Sequence, residues 1–358
     1  MVTIREIPVS GYEKVIEVLN PDVRLHGFIA IHNTKLGPAL GGLRIHTYAK
    51  PEAALEDVLR LSKGMTYKSA LAKDGLGGGK GVIIANPRKE KTAELLMSFG
   101  EAINLLKGAY ITAEDVGSTP DDMLILKKVT PYVCALPTET SSGDPGRFTA
   151  WGVYRGILEV CKKLFHSHSV RNKRIAIMGL GDVGSHLAET LFWEGAELIL
   201  CEVDHKKLET YCRKYGAEAV TPEDFFKTPC DILAPCALGG IFNDQTIPQL
   251  RCKAIAGSAN NQLLHSKNGY QLFERGILYC PDYVINAGGI INVASEFDEG
   301  GYNARNVREK VNHIYDTLRE IFDEADKLNC PPFVVADKLA EHNLEHGIGK
   351  RKTPIHFN

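Results

Sequence analysis

The chain has no surplus of charge: 42 Lys and Arg stand against 44 Asp and Glu in 358 residues, a formal charge of -2. Phosphate backbones are held by excess Lys and Arg that displace counterions, so nucleic acid is excluded as a main partner. A long apolar run is also missing. The longest uncharged apolar-rich stretch, 283–295, is interrupted by Gly288-Gly289 and is too short for a bilayer. The N-terminus, MVTIREIPVSGYEK, carries charges where a secretory signal needs an apolar core, so export is not expected. The nine Cys are odd in number, scattered and without a C-x-x-C pair, which argues against a zinc or dithiol site and for reduced thiols of a cytoplasmic protein. Low-complexity tracts and internal repeats are absent. With 44% hydrophobic and 24% charged residues the chain can bury ordinary cores, and its length predicts two domains in a soluble globular protein.

Glycine, by contrast, is plentiful. The chain has 34, about 9.5% against a typical value of roughly 7%. They gather at 37/41/42, 75/77/78/79/81, 179/181/184 and 288/289. Clustered glycine marks backbone that turns sharply or is approached closely.

The third cluster has the clearest context. Arg174–Met178 reads as a buried strand running into Gly179-Leu-Gly181-Asp182-Val183-Gly184. An amphipathic helix follows, with Val183, Leu187 and Leu191 on one face and Gly195 placed to end it. A second strand, Glu197–Cys201, leads to Glu202. This is a dinucleotide-binding arrangement: Gly179 makes the turn, Gly181 admits the pyrophosphate, Gly184 packs helix on strand, and the helix N-terminus faces the phosphates. Glu202 is expected to accept from the adenosine ribose hydroxyls and to repel the 2′-phosphate of NADP, favouring NAD; Asp204 competes for that role. Further strands at 231–234, 253–256 and 277–280 suit a doubly wound sheet whose carboxyl ends place Asn260, Asn261 and Asn286 near the nicotinamide.

The first 140 residues carry other chemistry. Pro51 opens an amphipathic helix that leads to Met65 and Lys68, and Lys80 ends Gly75-Leu-Gly-Gly-Gly79 just before a strand at 82–84. The segment fails the phosphate-loop pattern, because Asp74 replaces its first glycine and Gly81 its metal-binding hydroxyl. A lysine held by glycines beside an apolar strand and near other cations is a candidate general base; a surface lysine after a flexible turn is the alternative. Asp115, in Ala113-Glu-Asp-Val-Gly-Ser, precedes a helix capped by Thr119 with Pro120 at its first position and offers a carboxylate for proton transfer.

Nine ordered blocks together resemble the glutamate, leucine, phenylalanine and valine dehydrogenase family, most closely its leucine dehydrogenase branch. They are 36–44, 60–70, 75–83, 113–123, 149–157, 179–184, 234–240, 254–263 and 281–294, spread over nearly the whole chain. The resemblance implies an α/β protein: an N-terminal α/β substrate-binding and oligomerisation domain (1–143, with 330–358 returning to it) and a Rossmann-type NAD domain (144–329), with an active-site cleft between them. It implies that Lys68 binds the substrate carboxylate, Lys80 activates the attacking water and Asp115 moves protons to and from the nitrogen. Gly41, Met65, Ala113, Ile290 and Val293 are implied to line the pocket, and Thr149, Asp182 and Val183 to meet the cofactor. Leu40 stands where glutamate dehydrogenases carry a lysine for the side-chain carboxylate, so an apolar substrate is favoured, with branched aliphatic side chains fitting best. The implied activity is reversible NAD-dependent oxidative deamination of leucine, valine or isoleucine by a homo-oligomer, with phenylalanine or another apolar amino acid as the alternative.

Three positions depart from the family pattern: Gly81 for Thr, Asp144 for Asn and Glu202 for Asp. A non-catalytic NAD sensor, the reading from another class, is disfavoured because Lys80 and Asp115 are both present. His342-Asn-Leu-Glu-His346 matches a zinc-peptidase pattern but has no obvious third ligand, so no metal is expected. Apolar residues at 307, 311, 314, 318, 321, 325 and 328 form a helix seam, read as one long helix across both domains rather than a coiled coil.

Overall fold

Alternation along one strand sets the layering of the N-terminal part. In β3 (Leu25–Asn33), Phe28 and Ala30 face one core and Ile29 and Ile31 the other, as the two-residue period of a strand requires. Around it, β1 (Thr3–Glu6), β2 (Lys14–Asn20), β4 (Ala39–Leu40), β5 (Leu43–His46), β6 (Gly77–Ile84) and β7 (Tyr110–Ile111) complete a mixed sheet in the order β1-β2-β3-β6-β4-β7, with β5 also paired to β6. The pairs β1–β2, β2–β3 and β3–β6 are antiparallel; β4 and β5 run parallel to β6. One face carries helix α1 (Pro51–Ala72). The other carries α2 (Ala93–Leu105) and α3 (Pro120–Lys127), with Leu95, Phe99, Met123 and Leu126 in the core. Thr119 and Asp122 form the capping box that starts α3.

The second sheet is parallel throughout. It comprises β8 (Arg174–Met178), β9 (Glu197–Cys201), β10 (Glu218–Ala219), β11 (Ile232–Pro235), β12 (Ala254–Ile255) and β13 (Leu278–Tyr279), ordered β10-β9-β8-β11-β12-β13. The chain starts at the centre, moves out to β10 and returns to β11 beside β8, so the strand order reverses at β8. Ligands bind at the carboxyl ends of strands at such a switch point. Helices α4 (Gly146–Phe165), α5 (Asp182–Trp193) and α6 (His205–Tyr215) belong to this part.

A computed structural model describes residues 1–137 and 141–357 and divides into two units, 1–144 with 293–304 and 340–358, and 145–292 with 305–339. These limits differ from the expected 1–143, 144–329 and 330–358. Glu296 accepts from Ala135 N–H and Ser142 N–H, which ties 293–304 to the first unit. Asn343 bonds the carbonyl of Ala70 and Arg351 those of Gly75 and Phe297, whereas Asp337 accepts from the Tyr283 hydroxyl in the second unit. The expected long helix is two helices, Ala304–Asn312 and Ile314–Leu328, and from Arg305 onward both belong to the second unit. Among the described residues no helix is long and apolar enough to cross a membrane.

Candidate active site

Lys80 lies within a strand, not after a turn. Gly77, Gly78 and Gly79, which precede the strand expected at 82–84, are the first residues of β6, buried and paired with β3 and β4. Their missing side chains are replaced by neighbouring protein: a Cβ on Gly78 would stand 2.1 Å from the Thr66 backbone nitrogen, and one on Gly79 2.8 Å from the Tyr110 ring. A Cβ on Gly41 would come within 1.7 Å of the Gly79 carbonyl oxygen. α1 can approach this closely because its inner face is small, with Ala54, Ser62, Thr66 and Ser69 buried. Lys80 is only 5% exposed, which removes the surface-lysine alternative.

Asp115 meets Lys80 across this strand. Lys80 Nζ is 3.0 Å from Asp115 Oδ1, and Arg44 Nε donates to Oδ2 at 3.0 Å. The aspartate is fixed from behind as well: its N–H donates to Ser118 Oγ, whose hydroxyl donates to the Leu43 carbonyl. Burial alone would raise the affinity of this carboxyl for a proton, but Lys80 and Arg44 outweigh it and hold Asp115 below the usual carboxylate range. Arg44 extends from Asp115 to Asp57 of α1, donating through Nη1 to Asp57 Oδ2 at 2.9 Å; the Tyr48 hydroxyl donates to the same oxygen and Arg60 to Oδ1. The Tyr110 hydroxyl donates to the Gly41 carbonyl at 2.6 Å.

The residues expected to line the pocket are distributed as follows. Lys68 and Met65 are half-buried on α1, three residues apart and so on one face, in the turns that contact β6 through Thr66. Leu40 and Gly41 are buried at and just after β4, paired with Gly78 and Ile111, and half-buried Ala113 accepts from Leu43 N–H. Ile290 and Val293 are both buried in the helix Gly288–Ala294, through which the chain passes from one unit to the other. Arg44, Asp57 and Tyr110 received no role from sequence. Arg44 lies inside a recognisable block, but nothing in its spacing shows that it joins residues 13 and 71 positions away.

In the second unit the three glycines of 179–184 have three geometries. Gly179 has φ +90°, a conformation only glycine adopts readily. A Cβ on Gly184 would lie 1.9 Å from the Gly179 carbonyl oxygen, so the third glycine brings helix against strand. Gly181 is exposed and a Cβ there would meet nothing within 4 Å. This open face lies at the N-terminus of α5, where Asp182 and Val183 form the first turn, a cradle that fits a dinucleotide pyrophosphate. Glu202 Oε2 accepts from Leu180 N–H at 2.8 Å, and Oε1 from Val203 and Asp204 N–H. Burial favours its neutral form, but these three donors lower its proton affinity overall and keep a negative charge beside the loop. Asp204, exposed, caps α6 by accepting from Lys207 N–H through Oδ1. At the carboxyl ends of β11 to β13, exposed Asn260 accepts from the side chain of Asn286, which is 5% exposed and stands behind it; Asn261 is exposed with φ +51°. Thr149, in the first turn of α4, donates to the Pro145 carbonyl and abuts Gly289.

Comparison with known proteins identifies a family for the chain. Residues 14–132 match the Glu/Leu/Phe/Val dehydrogenase dimerisation domain, and 194–342 the glutamate/leucine/phenylalanine/valine dehydrogenase domain. Leucine dehydrogenase of Geobacillus stearothermophilus is 49% identical over 335 residues, 93% of this chain and 91% of that protein. Phenylalanine dehydrogenase of Caldalkalibacillus thermarum is 43% identical over 96% of this chain and 94% of its own length. The crystal structure of L-tryptophan dehydrogenase from Nostoc punctiforme superposes with a TM-score of 0.82 at 42% identity, covering 94% of this chain and 96% of that one. The chain belongs to the glutamate, leucine, phenylalanine and valine dehydrogenase family and is an NAD-dependent amino acid oxidoreductase.

Proposed function

We propose that the protein oxidatively deaminates branched-chain L-amino acids, leucine foremost, with the amino acid held by the first unit and NAD by the second. The observation that carries the reading is the buried Lys80–Asp115 pair. NAD, when bound, accepts the α-hydride of the amino acid. Lys68 holds the substrate carboxylate, a task for a half-buried cation on the helix that packs against the catalytic strand. Asp115 takes a proton from the substrate nitrogen and later returns one as ammonia leaves. Lys80, having first given its own proton to solvent, draws a proton from the water that adds to the imino carbon, and Asp115, its proton returned to the nitrogen, takes the carbinol O–H proton as the carbonyl forms. The net change consumes one water and one NAD and yields the 2-oxo acid, ammonium, NADH and one proton.

Leu40 supports the apolar preference, since an unpaired substrate carboxylate against a 3% exposed leucine would cost several kcal/mol. Gly41, Met65, Ala113, Ile290 and Val293 complete the aliphatic lining. On the cofactor side we assign Gly179, Gly181, Asp182, Val183 and Gly184 to the pyrophosphate and Glu202 to the ribose. Thr149, Asn260 and Asn261 are assigned to the nicotinamide side, with Asn286 holding Asn260. We further propose a cytoplasmic homo-oligomer assembled through the first unit, part of which matches a dimerisation-domain model.

A panel of leucine, isoleucine, valine, phenylalanine, tryptophan and glutamate, assayed by NADH absorbance at alkaline pH, tests the substrate. Leucine should give the highest kcat/KM; glutamate as the best substrate would overturn the argument from Leu40. Lys80→Ala should lose nearly all turnover while NAD still quenches protein fluorescence, and near-normal turnover would remove Lys80 from the mechanism.

A further inference from the structure

We propose that Arg44 is a positioning residue for the Asp115 proton shuttle, and that Asp57 of α1 holds Arg44 in that role. The inference rests on the proton-transfer reading of Asp115 given above. Its basis is how the guanidinium is shared. Arg44 gives its Nε to Asp115 and its Nη1 to Asp57, so one rigid fork spans a carboxylate of the site and a carboxylate of the helix beside it. Both oxygens of Asp115 are then gripped, Oδ1 by Lys80 from β6 and Oδ2 by Arg44 from β5. The carboxyl plane cannot rotate without breaking one of the two bonds.

Asp57 is equally constrained. Its Oδ2 also accepts from Tyr48 at 2.7 Å and its Oδ1 from Arg60 at 3.0 Å, so the anchor of Arg44 is itself fixed at both oxygens. A tie that served only to hold β5 against α1 would need the Arg44–Asp57 contact alone. The second contact, to a buried carboxylate already paired with Lys80, adds nothing to that tie and determines instead where the Asp115 lone pairs point.

The charged and titratable groups facing Asp115 are Lys80, Arg44 and the fully buried Tyr110 of β7. Of these, the two cations oppose the effect of burial. Without Arg44, Asp115 would turn toward Lys80 as a simple ion pair, and burial would make it harder to ionise.

The test compares full-length Arg44→Met, Arg44→Lys and Asp57→Asn with wild type, recording kcat, KM and the acid limb of kcat/KM for the best amino acid, with thermal unfolding as a folding control. Arg44→Met should lower kcat by about 100-fold, the scale set by misplacing a reacting group by about 1 Å, and move the acid limb to higher pH. Arg44→Lys should fall between, because a lysine keeps the charge but cannot span both carboxylates. Asp57→Asn, nearly isosteric and still able to accept, should lower kcat by about tenfold with KM little changed, a second-layer effect. If Arg44→Met does not fold, the other two variants decide. Unchanged kcat and acid limb in both, with only thermal stability reduced, would reduce Arg44 to a structural tie. Absence of turnover by the wild type with every amino acid would overturn the activity itself, and with it this inference.

Discussion

The two glycine-rich segments differ in what occupies the space their missing side chains leave. Around Gly41, Gly78 and Gly79 that space is filled by the chain itself, with backbone or ring atoms 1.7 to 2.8 Å from where a Cβ would stand. Around Gly181 it is empty. Glycine in β6 thus serves packing: it lets α1, β4 and Tyr110 close on the strand and buries Lys80. Glycine in the 179–184 loop serves both packing, at Gly184, and access, at Gly181. A glycine cluster in a sequence therefore indicates close approach without indicating whether the approaching group is protein or ligand.

The comparison can be broken by paired substitutions. Gly41→Ala drives a methyl into the Gly79 carbonyl and should destabilise the first unit by about 3 kcal/mol or more, at the upper end of overpacking costs, measured by urea unfolding. Gly181→Ala should leave stability nearly unchanged, since its φ of -61° suits any residue, yet raise the KM for NAD about tenfold, a loss of about 1.4 kcal/mol of binding. Equal stability losses in the two variants would refute the distinction.

Charge sharpens the contrast further. Glu202→Gln keeps the shape beside the loop but removes the charge, so the preference for NAD over NADP should fall several-fold, read from the ratio of kcat/KM values. In the first unit, Asp57 and Asp115 are both held below their ordinary value of 3.8, burial being outweighed by Tyr48, Arg60 and Arg44 at Asp57 and by Lys80 and Arg44 at Asp115. Groups depressed in the folded state stabilise it fully above their unfolded value and lose that contribution as pH falls through the folded one. The wild type should therefore lose stability below about pH 4, and Asp57→Asn should show a shallower loss over the same range, seen in denaturation at pH 3 and pH 6. An identical slope would mean that Asp57 contributes nothing through its charge.

What sequence reveals of this molecule follows the range of the interactions. The loop 179–184, its strand and its helix are contiguous, and each element lies where periodicity and capping place it. Lys80 and Asp115 were readable as candidates by type, but the start of the strand at Gly77 was not: the sequence places it at 82, because glycine weakens a strand unless something packs against it. The packing partners, Thr66 and Tyr110, lie 12 and 32 residues from Gly78 and supply no local signal. The Arg44–Asp57 contact and the return of 293–304 and 340–358 to the first unit are likewise tertiary, set by single hydrogen bonds such as Asn343 to Ala70.

Tyr110 ties these positions into one unit of inheritance. Its ring stands 2.8 Å from where a Cβ on Gly79 would lie and its hydroxyl 3.0 Å from one on Gly81, while that hydroxyl satisfies the carbonyl of Gly41, so a side chain at 79 crowds the ring and loss of the tyrosine leaves a buried carbonyl unpaired. An alanine at 79 becomes tolerable only where the tyrosine ring gives way, and a chain without the tyrosine must find another donor for Gly41. A lineage can therefore leave this arrangement only by passing through a less stable intermediate, whereas Met65, half-buried and outside this cluster, can vary freely and carry changes in substrate size.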